Sequence, residues 1–247
     1  SPYTFLSFLI LLTTRKKIFV YLMSNGYEEY EHILGKKFVW IYDFMFKFMT
    51  RFSNVIVCHE RLYERKKSFL VSPSRLTNNW ITNNKIPKLD IPRLLYVGRI
   101  NPEKGIENFI KLFEKINIKS ELYIAGNTEK LNTVSEKVKK LGYLSSEEKL
   151  IEAYDMCNIT VLPSYTEAHP YVLEESLSRK RPIIIFDEIA YVKKNKEGVY
   201  VIKRDKDAVY STISWIMNNY QAVQEGMKKN NLPSLKSMIS EFCQIMK

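Results

Sequence analysis

The chain has 247 residues, 45% of them apolar and 26% charged, with 38 Lys+Arg against 27 Asp+Glu and a formal net charge of +11. That length holds one large domain or two small ones. The apolar share is ample for a core, and eight glycines and nine prolines without a fixed-period repeat exclude low-complexity and repeat architectures. Cys58, Cys157 and Cys243 form no CxxC and no metal-like spacing with His32, His59 or His169, which excludes a disulfide framework and fits a reducing compartment.

The charge is uneven: residues 1–90 hold 14 Lys+Arg against 7 Asp+Glu, and the remaining 157 hold 24 against 20. Such a bias suits an anionic partner, whether a membrane face, a phosphorylated lipid or nucleic acid. A coding bias toward Lys, Asn and Ile accounts for much of the same excess. Nucleic-acid binding carries little weight, because no recognition motif accompanies the charge.

Residues 1–14 (SPYTFLSFLILLTT) are strongly apolar. They are too short to span a bilayer and no small-residue cleavage pattern follows, so they predict a buried helix leading into a strand over 17–22. A first residue of Ser followed at once by a core-like element suggests a chain that starts mid-domain. Met23 to Gly26 reads as a turn, and residues 27–32 as the start of a polar helix. In residues 38–52, Asp43, Lys47 and Arg51 recur at helical spacing among aromatics. A helix packed on a sheet is the expectation there; a membrane-surface helix is the alternative. A buried strand over 55–58, a charged helix over 61–67 and a short strand over 69–71 follow. Residues 74–88 read as irregular and Asn-rich, with a linker at 83–87. The expected domains are therefore 1–88, 89–230 and a last helical segment, 231–247.

Residues 94–97 predict a strand, 98–105 (GRINPEKG) a loop, and 106–116 a helix with Ile106, Phe109, Ile110 and Phe113 inward. The loop offers a guanidinium, Arg99, and an ammonium, Lys104, at a strand's carboxyl end. A planar fork and a point charge are what a diphosphate needs. A strand over 122–125 closes at Gly126-Asn127, residues 129–140 read as helix, 141–144 as a short strand and turn, and Ser145 to Glu148 as a capping box opening a helix to Met156.

Residues 158–188 read as strand, turn, helix, strand: Ile159, Val161 and Leu162, then Pro163-Ser164, a helix over 171–180, a break at Pro182 and a buried strand over 183–186. Glu167 sits in the turn and Glu175 about two helical turns inside the helix. Pro170 and Tyr171 mark the helix start, whose free N–H groups form an anion site at the end of a strand. Two carboxylates there bracket a hydroxyl-rich ligand; equally, Glu167 can be a solvated turn residue and Glu174-Glu175 a helix surface. Beyond a strand over 199–202, Asp205-Lys-Asp207 matches D-x-D, a metal-holding pattern. It directly precedes a helix over 208–217, so capping is the expected role.

The run EAHPYVLEESLSRKRPII, residues 167–184, resembles the E-x7-E segment of retaining GT-B glycosyltransferases of family 4 (glycosyl transferases group 1). Likewise VGRINPEKGIENFI, residues 97–110, is similar to that family's V-G-R-x4-K-G pattern. Two departures stand out: Lys180 where the family has glycine, which weakens the tight helix-to-strand turn, and Ser176 in place of alanine. The resemblance covers residues from about 17 onward, most securely 93–186, with only the later part of the first domain visible.

What the resemblance implies is an α/β fold of GT-B type, a Rossmann-like parallel-sheet donor domain plus a partial N-terminal Rossmann-like domain, closed by a helix returning from the end of the chain. The implied activity is transfer of a sugar from a nucleotide diphosphate sugar to a hydroxyl with retention, in cell-surface polysaccharide or glycolipid synthesis. No cofactor or metal is implied beyond the donor itself. Arg99, Lys104 and Glu167 would carry catalysis. Gly98, Gly126, Tyr143, Leu144, His169, Tyr171, Val172 and Glu175 would complete the donor site, with Glu175 on the ribose and the backbone near Tyr143 and Leu144 on the base. The family often places a histidine in its first domain; Met23 to Gly26 stands at that strand end, and neither His32 nor His59 takes the role. A sugar or lipid-linked acceptor, a cytoplasmic location and peripheral contact at the inner membrane face through the basic N-terminal part complete the expectation. The competing reading is a non-catalytic nucleotide-sugar-binding or membrane-docked partner protein.

Overall fold

The computed structural model describes residues 2–247 except 25, 28–29, 32–34, 60–61, 64–67 and 132–134. The helices expected over 27–32, which includes His32, and over 61–67 fall largely outside the described residues. The described elements are α1 (Pro2–Leu12), β1 (Phe19–Leu22), α2 (Val39–Arg51), β2 (Asn54–Val57), β3 (Phe69–Leu70), α3 (Asn78–Ile81), β4 (Arg93–Val97), α4 (Ile106–Glu114) and β5 (Glu121–Ala125), then β6 (Val138–Gly142), α5 (Glu147–Met156), β7 (Ile159–Leu162), α6 (Tyr171–Ser178), β8 (Ile183–Phe186), β9 (Val199–Ile202), α7 (Lys206–Asn218), α8 (Tyr220–Met227) and α9 (Leu235–Met246). Among the described residues no helix is long and apolar enough to cross a membrane.

The chain divides into two compact units, one of residues 1–74 with 235–247 and one of residues 75–234. In the first, β1, β2 and β3 form a parallel sheet in that order. Helix α2 packs against α1, which meets it through Phe5 and Phe8 against Phe44 and Phe48. Helix α1 was expected to be buried, yet only Phe8 is; Leu6 and Ile10 are 57% and 69% exposed, because a uniformly apolar helix with one packed side leaves the other bare. Helix α9 joins this unit by setting Phe242 against the Tyr21 ring and Met238 Sδ 3.3 Å from the Ser74 amide.

The second unit is a six-stranded parallel sheet in the order β6-β5-β4-β7-β8-β9. Its four inner strands, β5, β4, β7 and β8, are fully or mostly buried apolar runs, as a sheet covered on both faces requires. Leu94 and Tyr96 of β4 face one core with Phe109 and Phe113 of α4, while Leu95 faces the other with Trp80 and Tyr154. The strand order reverses direction between β4 and β7, and in open α/β sheets ligands bind beyond the carboxyl ends of the strands at that point.

Three sequence expectations are corrected. Residues 138–140, expected as the end of a helix over 129–140, instead begin β6, which runs on through 141–142 where a short strand was expected and pairs in parallel with β5; Lys139 and Lys140 suit an exposed edge strand and give it a helix-like composition. The cap of α5 is Ser146, whose side chain accepts from the Lys149 amide, not Ser145. The boundary expected at 88 lies inside the second unit, which begins at Arg75. Two fully buried arginines explain why. Arg179 forks onto Asp155 at 3.0 and 2.8 Å and donates to the carbonyls of Trp80, Thr82 and Asn83. Arg181 donates to Lys85 O at 2.8 Å. The stretch expected as a linker is thus fastened along its backbone to the end of α6.

Candidate functional site

The loops that follow β4 and β7 flank the point where the sheet order reverses, and they are joined to each other. Tyr165 N donates to Glu103 O at 2.9 Å. Gly105 has φ 65 and approaches the carbonyl of Pro163 so closely that a Cβ would lie 2.1 Å from that oxygen. Between the loops, Lys104 Nζ donates to Glu167 Oε1 at 2.6 Å, with the two side chains 19% and 11% exposed. Ser164 Oγ donates to the same oxygen at 2.7 Å. The Tyr191 hydroxyl bonds both the N–H and the carbonyl of Glu167, fixing the turn from the loop after β8.

Further back, Tyr96 OH donates to Arg99 O at 2.6 Å and so sets where the loop leaves β4. Burial pushes the Tyr96 phenol up, the carboxylates of Glu167 and Glu103 add to the effect, and Arg99 opposes it. Arg99, Glu167 and Lys104 therefore share one neighbourhood. Arg99 itself is exposed, and its side chain makes no hydrogen bond or ion pair among the described residues. Gly126, at φ 156, abuts the same loop: a Cβ there would stand 2.1 Å from Gly98 O.

On the other side lies α6. Its N-cap is Pro170, which offers no side-chain cap, so the first amides of the helix, at Tyr171 and Val172, take no side-chain acceptor. Glu175 is 6% exposed and its Oε2 accepts from Tyr154 OH at 2.9 Å. Burial raises its pKa, against the Tyr154 bond and the positive charge of Arg75. No hydrogen bond or ion pair joins Glu175 to Arg99, Lys104 or Glu167 among the described residues. The structure brings Lys104 and Glu167 into contact and places Glu175 separately, on a helix opening at the same sheet edge. The idea of Glu174-Glu175 as a helix surface is corrected: both are buried, because this face of α6 lies against the body of the unit.

The remaining expected residues divide. Tyr143 is 80% exposed at the end of β6, whereas Leu144 packs its side chain against the Leu76–Trp80 core. His169 Nε2 lies 3.3 Å from Glu174 Oε1, and among the described residues neither His169 Nε2 nor Glu174 Oε2 has a hydrogen-bond partner. Asp205 is the N-cap of α7, its Oδ1 accepting from the amides of Asp207 and Ala208 at 2.9 Å each. Among the described residues no group of three His, Cys, Asp or Glu side chains is placed to hold a metal.

Sequence reasoning missed four residues that shape this site: Tyr154, Tyr191, Arg75 and Arg204. The Arg204 guanidinium lies 4.2 Å from the ring centres of both Tyr165 and Phe186 and pairs with Glu188 at 2.9 Å, bracing the turn that carries Glu167. The signal for Arg204 was its place just after a strand of the same sheet; nothing local marks the others.

The family profile described as glycosyl transferases group 1 matches residues 79–232. The chain is 24% identical over 186 residues to an alpha-galactosylglucosyldiacylglycerol synthase of Streptococcus pneumoniae, covering 64% of this chain and 50% of that protein. It is 23% identical over 145 residues to an uncharacterized glycosyltransferase of Methanocaldococcus jannaschii, covering 53% and 37%. The chain thus spans about half the length, or less, of these curated relatives. Among solved structures it is similar to sucrose-phosphate synthase from Thermosynechococcus elongatus, with TM-score 0.74, 18% identity, and 98% and 71% of the two chains covered. It is similar also to HepE of Anabaena in complex with UDP, with TM-score 0.71, 11% identity, and 98% and 75% covered. These neighbours are GT-B glycosyltransferases, and the parallel sheets seen here match that fold. With most of its length inside the matched region, the chain belongs to the glycosyl transferases group 1 family.

Proposed function

We propose that the unit of residues 75–234 binds a nucleoside diphosphate sugar beyond the ends of β4 and β7, and that the protein transfers the sugar to an acceptor hydroxyl with retention. The observation that carries this reading is the Lys104–Glu167 contact at 2.6 Å, which ties the cationic loop of β4 to the acidic turn of β7 at the reversal of the sheet. The barrier to such a transfer is charge separation. The bond from the anomeric carbon to the diphosphate oxygen breaks, its electron pair leaves with the phosphate, and the sugar gains oxocarbenium character. The acceptor oxygen then bonds to the anomeric carbon and its proton passes to a departing phosphate oxygen. Stabilising the leaving group is the largest service a protein can render here. Arg99 and Lys104 neutralise the phosphates, and the amides of Tyr171 and Val172 point a helix terminus at them. Glu175 accepts from the ribose hydroxyls, Glu167 faces the sugar while holding Lys104, and the backbone by Tyr143 meets the base.

Structurally similar proteins support the ligand class: HepE of Anabaena is solved in complex with UDP-glucose, and a TarM variant with UDP and alpha-GlcNAc-glycerol. A lipid-linked or polysaccharide acceptor at the inner face of the cytoplasmic membrane extends this reading. It is supported by the basic excess of residues 1–90 and by a bare apolar surface on α1 and α2, where Tyr3, Ile10, Trp40 and Phe44 are 82%, 69%, 68% and 59% exposed.

The test is donor-dependent product formation with a panel of nucleotide sugars, the anomeric configuration of product read by NMR. Product with the donor's configuration supports the proposal. Product with the opposite configuration removes retention, and nucleotide binding without product with any acceptor leaves a binding protein instead.

A further inference from the structure

The side chains named so far do not balance the charge of the ligand they are said to hold. Arg99 and Lys104 are offset by Glu167 and Glu175, a formal sum of zero, and Lys104 is already committed to Glu167 at 2.6 Å. The diphosphate bridge of a nucleotide sugar carries about two negative charges, and more develops as the sugar departs. A further cation is wanted beside the first turn of α6. Arg204 does not supply it, since its guanidinium is wedged between two rings and paired with Glu188 at 2.9 Å.

Arg75 is placed to do so. It is the first residue of the second unit, and its guanidinium carbon lies 4.3 Å from the centre of the Tyr171 ring. Tyr171 is the first residue of α6, and Glu175 follows one turn later on the same helix face. The positive charge of Arg75 also favours the ionised carboxyl of Glu175. Arg75 is exposed, and among the described residues its side chain makes no hydrogen bond or ion pair. Stacking on an aromatic face holds the plane of the guanidinium while leaving its N–H edge free, which lowers the entropy lost when that edge meets a phosphate.

We propose that Arg75 is a third cationic ligand of the donor diphosphate, acting from the α6 side opposite the loop of Arg99 and Lys104. The proposal rests on the donor-binding reading above. It makes the diphosphate, rather than the ribose alone, the group recognised at the Arg75–Tyr171–Glu175 face. Two other roles for Arg75 are distinguishable from it: packing on Tyr171, and keeping Glu175 ionised for the ribose. Both would affect a nucleoside as much as its diphosphate.

The experiment compares the parent chain with Arg75→Met and Arg75→Lys, after thermal melts establish that each variant folds. NMR and calorimetric titrations use UDP, GDP and ADP, the matching free nucleosides, and inorganic pyrophosphate. The expected result is that Arg75→Met weakens the preferred nucleoside diphosphate by about ten- to hundredfold. Pyrophosphate is weakened alongside, the free nucleoside changes little, and Arg75→Lys recovers part of the loss. Unchanged diphosphate affinity in Arg75→Met overturns the inference while leaving the donor reading in place. Equal losses for nucleoside and diphosphate also overturn it and reassign Arg75 to Tyr171 and Glu175. A parent chain that binds no nucleoside diphosphate removes the donor reading, and this inference with it.

Discussion

Lys104 and Glu167, 63 residues apart in sequence, meet at 2.6 Å across the two loops that flank the reversal of the parallel sheet. The pair is more than a surface ion bridge, since both side chains are less than one-fifth exposed and Glu167 Oε1 also accepts from Ser164. It leaves Lys104 positioned and partly neutralised until a stronger anion arrives. Replacing Lys104 by Met is expected to lower stability by about 1–3 kcal/mol and to cost transfer about a hundredfold or more. Urea titration and initial rates read the two effects separately. Loss of stability with full activity would confine the pair to a structural role.

Arg179 and Arg181 fasten residues 79–85 to the end of α6 by backbone carbonyls, and Arg179 also holds Asp155 in a two-pronged bond at 3.0 and 2.8 Å. Removing one partner strands a buried charge. Arg179→Ala is expected to destabilise the protein by about 3–5 kcal/mol, read as a fall in the urea midpoint. A change below about 1 kcal/mol would show that the stretch is held by other means.

Lys180 stands between those arginines at φ 55, in the left-handed region where the family pattern has glycine. Its turn is kept: the amides of Lys180 and Arg181 still reach Leu177 O and Ser176 O at 3.1 and 2.9 Å. The departure therefore adds strain without changing shape. Lys180→Gly is expected to raise stability by up to about 1 kcal/mol, since relief of a left-handed side chain outweighs the added freedom of the unfolded glycine. A lower melting temperature would contradict this.

The sequence disclosed the chemistry-bearing loops and the β7–α6–β8 unit because their signals are local: apolar runs four residues long, Pro182 as a break, and glycines at loop ends. Helix α4 was legible for the same reason, its four inward residues all being buried. What stayed hidden depends on distant partners. Residues 74–88 read as a linker because Arg179, whose bonds to them span 96–100 residues, is invisible locally. The first three residues of β6 read as helix because an edge position makes lysines as acceptable in a strand as in a helix. The partners of Glu175 and Glu167, Tyr154 and Tyr191, carry no motif at all; only the sheet order brings them in.

The buried carboxyl of Glu175 has a pKa raised above its ordinary 4.5. The folded state therefore holds its proton more tightly than the unfolded chain does. That contribution to stability is complete below about pH 4.5 and is lost as pH rises through the folded value. Glu175→Gln is expected to remove this slope, so the variant gains on the parent from the acid side toward neutrality while binding nucleotide less well. Parallel stability curves for the two proteins across that range would contradict the assignment.

Thiol reactivity gives an independent check on the packing. Cys157 is 1% exposed and burial pushes its thiol up to about 12, and Cys58 is fully buried, whereas Cys243 is exposed. Alkylation of the native protein at pH 8 is expected to modify Cys243 rapidly and the other two only after unfolding. Fast modification of Cys157 would show that the sheet between β4 and β7 opens readily.

The most direct test of the account is a calorimetric titration of UDP, GDP and ADP into the parent chain and Arg99→Ala. Arg99 is exposed and its side chain makes no hydrogen bond or ion pair among the described residues, so its removal is expected to leave the fold intact while taking away a phosphate ligand. The account predicts one-site binding of at least one nucleoside diphosphate, weakened about tenfold or more in Arg99→Ala with an unchanged ligand-free melting temperature. Equal affinity in the two proteins, or no binding by the parent, would contradict it.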